Sequence, residues 1–165
     1  MYCRRKRSID INEILIKEPN ALSIISGGEN YSEINGKVSF YQTSFGVLVS
    51  AEIHNLPIGK GKCGNDIFAF HIHNGGSCTG NTDDEFSNAG THFNSDGCPH
   101  PYHAGDMPPL FTAGKIAFLA FLTDRFTVSE IVGKTVIIHS RPDDFSTQPS
   151  GNSGEKIACG EIKWL

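Results

Sequence analysis

Six of the seven histidines in this sequence fall into one spaced series with a single aspartate. Histidine is the commonest metal ligand, and histidine–carboxylate clusters at short fixed spacings are typical of metal sites. A tetrahedral ion needs only four ligands. Seven candidate ligands therefore predict two metal ions, which could share a ligand. The series is His71, His73, His92, His100, His103, Asp106 and His139.

The members of this series lie in two kinds of local sequence. His71 and His73 belong to the apolar run 67–73, where the two-residue period of a strand would place both imidazoles on one face. Residues 100–106, which include His100, His103 and Asp106, are surrounded by glycine and proline, as is typical of a loop. We therefore expect a ligand-bearing strand followed by a ligand-bearing loop.

Composition and charge limit the fold class and the partners. A chain of 165 residues with 18 glycines, 11 phenylalanines and 38% hydrophobic residues suits one all-β domain with many turns. The net charge of −4 gives no general basic field, and the basic run 4–7 is interpreted as a solvated tail. No stretch approaches the length of a membrane span. We expect neither nucleic acid nor a membrane as a partner.

The first 20 residues are interpreted as an N-terminal extension to a domain at 21–165. Asp10 and Glu13 have the spacing of a capping box, which predicts a short helix that ends before Pro19. Polar residues interrupt 8–19, so this segment does not have the continuous apolar run of a secretory signal. We expect a cytoplasmic location, or a periplasmic or extracellular one if a leader has been removed.

Alternating hydrophobicity predicts about eight short strands that form an antiparallel Greek-key β-barrel or sandwich with two long functional loops. Asn35-Gly36 is typical of a hairpin turn. His54 falls on the outward face of its strand and is expected at the surface. The long loops are expected at 74–110 and 140–158. The predicted strands lie at 22–25, 37–44, 46–54, 67–73, 115–123, 134–139 and 157–163.

Four ordered blocks and a closing segment together resemble the copper–zinc superoxide dismutases, in particular the bacterial members. The similarity runs from about Ala21 to the C-terminus. Any one block would be weak evidence, but their order makes chance agreement improbable. The blocks are Phe-His-Ile-His at 70–73, Ala-Gly-Thr-His-Phe-Asn at 89–94, His-Ala-Gly-Asp at 103–106, Val-Ile-Ile-His at 136–139 and the cysteine-containing segment 151–160.

This resemblance implies a ligand set for each metal. Copper would be bound by His71, His73, His92 and His139, and zinc by His92, His100, His103 and Asp106. His92 would then bridge the two ions and carry a proton during the reaction. The spacing of three residues between His100 and His103 is shorter than is usual in the family, which could distort the zinc site.

Further roles follow from the same resemblance. Asp143 matches a carboxylate that orients one ligand of each metal. Lys156 stands where the family has an arginine that guides the substrate, so it keeps the charge but loses the planar fork. Cys78 and Cys159 would form the family's disulfide. Cys63 and Cys98 could form a second bridge or remain separate thiols, and the odd count of five cysteines leaves at least one outside any intramolecular bridge.

The implied activity is superoxide disproportionation to dioxygen and hydrogen peroxide, with copper and zinc as cofactors and superoxide as the substrate. The alternative is a non-enzymatic dismutase-like protein that binds zinc or copper. Loss of a copper ligand would favour that alternative, and the sequence has lost none. A homodimer is also expected, because dimers are common in the family.

Overall fold

The computed structural model describes residues 10–59 and 67–165. Within these residues, nine antiparallel strands form one sheet in the order β4-β6-β7-β3-β2-β1-β9-β8-β5. Only Ala69 separates β4 from β5, so the two ends of the sheet meet and the strands form a nearly closed barrel. The strands are β1 Ala21–Gly27, β2 Asn35–Thr43, β3 Gly46–His54, β4 Ile67–Phe68, β5 Phe70–His73, β6 Leu110–Ala113, β7 Ile116–Thr123, β8 Thr135–His139 and β9 Lys156–Trp164.

The hydrophobic core fills the interior of this barrel, as the alternating sequence requires. Val38 and Phe40 on β2 and Val49 and Ile53 on β3 are fully buried in one cluster. Glu52 and His54 point outward on β3, and His54 contacts Glu52 at the surface, with 3.1 Å between Nε2 and Oε1. The predicted all-β fold class is confirmed.

The predicted hairpin turn at Asn35-Gly36 is wrong. These residues open β2, with Gly36 opposite Ile53, while a 3-10 turn at Glu29–Tyr31 lies in the β1–β2 connection. A Cβ atom at Gly36 would lie 2.3 Å from the carbonyl oxygen of Glu52. Glycine is therefore needed here because the neighbouring strand approaches closely, and not because the chain turns.

The predicted ligand strand 67–73 is interrupted at Ala69. β4 pairs with β6, whereas β5 pairs with β8, so the chain changes partner at this residue. The Ala69 amide donates to the carbonyl of Arg141 at 2.8 Å, and the His139 amide donates to the carbonyl of Ala69 at 2.9 Å. The sequence pattern does not predict strand β6. The strand has only four residues, and Leu110 is the only one of them that is buried, so no alternation marks it.

Two short α-helices lie outside the sheet in the described chain. Helix α1, Ile11–Leu15, begins after Asp10, whose carboxylate accepts from the amides of Asn12 and Glu13, and none of its residues is buried. Helix α2, Val128–Ile131, packs Val128 and Ile131 into the barrel core. Its capping box of Thr127 and Glu130 is a sequence signal that predicts such a helix, although the apolar pattern alone does not.

A disulfide ties the first long loop to the barrel. The Cys78–Cys159 disulfide, with 5.6 Å between the Cα atoms, joins the first loop to β9, which confirms this pairing. Cys98 has no disulfide partner among the residues described, and Cys3 and Cys63 lie outside them. The proposed second bridge therefore stays a prediction. No helix in the described ranges is long and apolar enough to cross a membrane.

Candidate metal centre

The metal centre is built along the edge of β5 that does not pair with another strand of the sheet. His71 and His73 lie on this strand, and His139 ends the neighbouring β8. The first long loop returns along the other edge of β5, where the Phe93 amide donates to Ile72 O at 2.8 Å and the Ile72 amide donates to Gly105 O at 2.9 Å. Isolated bridges pair His73 with His92 and His71 with Asp106. Backbone hydrogen bonds therefore bring ligands from distant parts of the sequence to one place.

All seven predicted ligands converge into two sets of four. In each set the donor atoms lie within 4.8 Å of one another, and His92 belongs to both sets. The six histidines are buried, whereas His54 is not part of either set. The sets are His71, His73, His92 and His139, and His92, His100, His103 and Asp106.

The hydrogen bonds of the first set leave its ring nitrogens free for a cation. His73 Nδ1 lies 2.8 Å from Gly90 O, and His139 Nδ1 lies 3.3 Å from Gly154 O, so each Nδ1 carries the proton. The two Nε2 lone pairs then face each other at 3.2 Å. Neither nitrogen can donate to the other in these tautomers. A metal ion would turn this repulsion into coordination.

Unpartnered nitrogens in both sets also favour metal binding. His71 Nδ1 and His92 Nε2 in the first set, and the Nδ1 atoms of His100 and His103 in the second, are buried with no hydrogen-bond partner among the described residues. Buried polar atoms are rarely left without partners, because desolvation is costly. Four imidazoles suit Cu(II), and three imidazoles with one carboxylate suit tetrahedral Zn²⁺. The residues present therefore fit both ions.

Asp106 draws the second set together despite the short histidine spacing. One carboxylate oxygen lies 2.7 Å from His92 Nδ1. The other is within ion-pair distance of His100 Nδ1 (3.1 Å) and His103 Nδ1 (3.3 Å), but neither contact has the geometry of a hydrogen bond. Burial would raise the pKa of Asp106, but the hydrogen bond from His92 and the nearby imidazoles lower it. The carboxylate is thus ionised and ready to balance a cation.

Burial also keeps three residues of the first set neutral, His71, His73 and His139. It lowers the pKa of His71 to about 4, although the Asp143 carboxylate opposes the change. The pKa values of His73 and His139 fall well below 6.5, again mainly through burial. A neutral imidazole has a lone pair to give, so these residues are in the form that binds metal.

Asp143 contacts one histidine of each set, at the ring nitrogen that is not available to a metal. Its Oδ2 lies 2.8 Å from His71 Nε2 and its Oδ1 lies 2.9 Å from His100 Nε2, while the Phe145 amide also donates to Oδ1 at 2.7 Å. Burial would raise the pKa of Asp143, but these hydrogen bonds outweigh it and lower the pKa to about 2. The carboxylate holds each imidazole in the tautomer that points Nδ1 toward its metal position.

Two further residues support this geometry. Gly151 has φ of +67°, and a Cβ atom there would lie 2.0 Å from Asp143 Oδ1, so only glycine leaves room for the carboxylate. Arg125 Nη1 donates to the carbonyls of Pro101, His103 and Asp106 at 3.2, 3.4 and 3.2 Å. The glycine lies in the closing block of the sequence, but no local pattern marks Arg125 as a residue that positions the loop.

An open cavity, here called the mouth, leads to His73, His92, His103 and His139. Lys156 also lines it. Its ammonium donates to Asp84, however, and this ion pair could not be predicted because 72 residues separate the two partners.

Comparison with known proteins gives the family. Residues 34–162 match the family "Copper/zinc superoxide dismutase (SODC)". The chain is 36% identical over 146 residues to "Superoxide dismutase [Cu-Zn] 2" of Aquifex aeolicus, covering 79% of this chain and 80% of that protein. It is 35% identical over 136 residues to "Superoxide dismutase [Cu-Zn]" of Legionella pneumophila, covering 78% and 77%. This chain therefore belongs to the copper/zinc superoxide dismutase family.

The fold has a solved counterpart. The Cu/Zn superoxide dismutase from Brucella abortus superposes with a TM-score of 0.72 at 21% identity, covering 87% of this chain and 99% of that one. The predicted family, the oxidoreductase class and the two cofactors, copper and zinc, are confirmed. The roles of individual residues stay predictions.

Proposed function

We propose that this chain disproportionates superoxide at the centre built by its two ligand sets. Two superoxide anions and two protons give one dioxygen and one hydrogen peroxide. The observation that carries this proposal is the sharing of His92 between two buried donor sets whose free ring nitrogens converge. The non-enzymatic alternative is less favoured, because the copper set is complete and opens to the mouth through His73 and His139.

The two sets are proposed to hold different metals. His71, His73, His92 and His139 hold copper, while His92, His100, His103 and Asp106 hold zinc. Bound copper supplies one-electron chemistry between Cu(II) and Cu(I), and zinc is structural. Asp143 fixes one imidazole of each set, so a change at either set is transmitted to the other through a single carboxylate.

Proton delivery is assigned to His92. Its Nε2 is buried and unpartnered on the copper side, and its Nδ1 lies 2.7 Å from Asp106 Oδ1 on the zinc side. The imidazole can hold a proton at Nε2 and release it to the product. Lys156 is proposed as the cation that faces the incoming anion, because it lines the mouth and lies opposite His139 in the β8–β9 ladder.

Metal content measured beside activity tests the function. We expect elemental analysis to find one copper and one zinc per chain after loading, and superoxide consumption to depend on copper. Zinc-only protein should be inactive and should gain activity on copper addition. Full loading with both metals and no activity would support the non-enzymatic alternative.

A homodimer is proposed through the outer face of β6 and β7. Phe111, Ile116, Phe118 and Leu122 are 65%, 47%, 64% and 41% exposed there. Neither strand contains a charged residue. Since the chain carries a net charge of −4, an uncharged apolar face is where two copies meet with little repulsion.

Sedimentation distinguishes this face from others. Phe118→Glu should convert dimer to monomer at micromolar concentration, because it buries charge in the interface. Ile24→Glu is the matched control, since Ile24 is 61% exposed on β1, outside the β6–β7 face. A dimer that survives Phe118→Glu would place the interface elsewhere.

The cellular location also stays a proposal. Disulfides persist in oxidising compartments and are rare in the cytosol. The Cys78–Cys159 disulfide therefore supports a periplasmic or extracellular location over the predicted cytoplasmic one. Fractionation of the producing cells, with alkylation of free thiols before lysis, would decide between them.

A further inference from the structure

The charge of the mouth is opposite to what an anionic substrate needs. Five acidic side chains line its described part, together with one lysine and no arginine. Five carboxylates against one ammonium give these lining side chains a formal charge of −4, before the metal ions at the base of the mouth are counted. These residues are Glu29, Asp83, Asp84, Glu85, Glu155 and Lys156.

The lysine is itself engaged. Lys156 Nζ donates to Asp84 Oδ2, and the lysine side chain is only 15% exposed while the Asp84 side chain is 41% exposed. A largely buried ammonium is screened less by solvent than a surface one, so its partner matters more. The ion pair lies beside the first ligand set, because Lys156 on β9 is directly opposite the ligand His139 on β8.

Asp84 is held in place for this contact. Its Oδ1 accepts from the Phe86 amide at 3.1 Å, and its own amide donates to Asn81 Oδ1 at 3.0 Å. The loop that carries Asp84 is tied by Cys78 to Cys159, three residues beyond Lys156 on β9. The two partners are thus anchored to the same strand, and their pairing is not a chance meeting of two mobile side chains.

We propose that Asp84 limits the access of anions to the mouth: by pairing with Lys156 it cancels the guiding cation and slows the entry of superoxide and other small anions. The proposal rests on the proposed function for its consequence in turnover, but the charge arrangement itself does not depend on activity. Because the remaining field repels anions, salt should raise the second-order rate constant of the wild-type protein.

Two neighbouring aspartates make a matched pair of variants. Asp84→Asn and Asp83→Asn each remove one negative charge from the mouth, but only Asp84→Asn removes the partner of Lys156. The side-chain oxygen that remains in Asp84→Asn can still accept from the Phe86 amide, so the turn is kept. Asp84→Asn should raise the second-order rate constant with superoxide about threefold, and Asp83→Asn less than about twofold.

Two measurements need no turnover. Asp84→Asn should increase the rate at which an amine-acylating reagent labels Lys156, followed by mass spectrometry of the peptide, whereas Asp83→Asn should not. Azide, a small anion, should bind the copper-loaded protein about threefold more tightly in Asp84→Asn, with the gain lost in Asp84→Asn/Lys156→Ala. That double variant isolates the contribution of the freed lysine.

The outcomes separate this inference from the proposed function. Faster labelling of Lys156 and tighter azide binding in Asp84→Asn, in a protein without dismutase activity, would support the inference and contradict the function. Equal effects of Asp83→Asn and Asp84→Asn in an active enzyme would overturn the inference alone. Weaker azide binding in Asp84→Asn would also overturn it, because Asp84 would then be positioning Lys156 for anion binding.

Discussion

The barrel wall and the two long loops beside the metal centre are held by different forces. In the wall, long antiparallel ladders enclose a continuous cluster of fully buried apolar side chains. The loop at 74–109 adds Phe93, Ala104 and Met107 to this cluster. Otherwise the loops at 74–109 and 140–155 are held by one disulfide, backbone hydrogen bonds to the ligand strand and its neighbours, and the polar contacts around Asp143 and Asp106. We infer that the wall can persist without metal, while the site depends on a small number of contacts that each matter.

The strongest test of this comparison removes the shared ligand. His92→Ala takes one donor from both sets, so we expect loss of activity and of both metals at equilibrium. The strands should remain, because His92 is outside the barrel core cluster. Elemental analysis and far-ultraviolet circular dichroism would measure the two effects. His54→Ala, which changes the one histidine outside both sets, should alter neither, and a lost β-spectrum in His92→Ala would contradict the separation of wall and site.

Removing the disulfide should have the next largest effect, on stability. Cys78 and Cys159 are 81 residues apart, and a bridge over such a loop contributes about 4 kcal/mol to the free energy of unfolding in the chain-entropy model. Urea unfolding of Cys78→Ser/Cys159→Ser should show a loss of this order. Cys98→Ser is the control, since Cys98 has no disulfide partner in the described chain. Equal stability of the two variants would show that the bridge does not restrain the unfolded chain.

Asp143 tests whether a single carboxylate couples the two metals. Asp143→Asn keeps the size of the side chain but removes the acceptor that faces one of the two imidazoles. Loss of such a contact typically weakens metal affinity about 10- to 100-fold. Competition with a chelator should show weaker binding of both metals. Asp144→Asn changes an exposed neighbour whose carboxylate caps the turn at Ser146 and Thr147, and it should leave both affinities nearly unchanged.

The two regions also differ in how far the sequence predicts them. The alternation of Val47, Val49, Ala51 and Ile53 predicts a half-buried strand directly, because burial repeats every second residue. The metal ligands can be predicted because only a few residue types bind metals, and because the ligand-containing blocks occur in the order typical of the family. The break at Ala69 was missed, since an apolar run does not reveal that its two halves pair with different strands.

Contacts between distant loop residues had no local signal. Arg125 reaches three carbonyls of the ligand loop, and Asp84 reaches Lys156 across 72 positions. Neither contact creates a periodicity or a motif, because each depends on how two irregular segments meet in three dimensions. The pairing of Lys156 with Asp84 could therefore not be predicted.

The smallest expected effect lies on the barrel side, at the capping box of α2. Thr127→Ala should lower stability by about 1 kcal/mol, and by the same amount with and without metals, since α2 packs on the core and contains no metal ligand. Chemical unfolding of the loaded and metal-free proteins would measure this. A metal-dependent loss would show that wall and site are coupled through this helix.

The pH dependence of the same capping box has a definite sign. Hydrogen bonds from the Thr127 amide and hydroxyl lower the pKa of Glu130 below its ordinary value of 4.5. A carboxyl whose pKa is lower in the folded state stabilises the fold above pH 4.5, and that contribution is lost as the pH falls through the folded pKa.

Glu130→Gln, which can still accept at the helix N-terminus, should therefore differ little from wild type at low pH and be less stable at neutral pH. The difference should stay below about 1 kcal/mol, because the side chain is exposed to solvent. Unfolding of the metal-free pair between pH 3 and 7 would measure it, and a stability gap that widens toward acid would contradict the assignment.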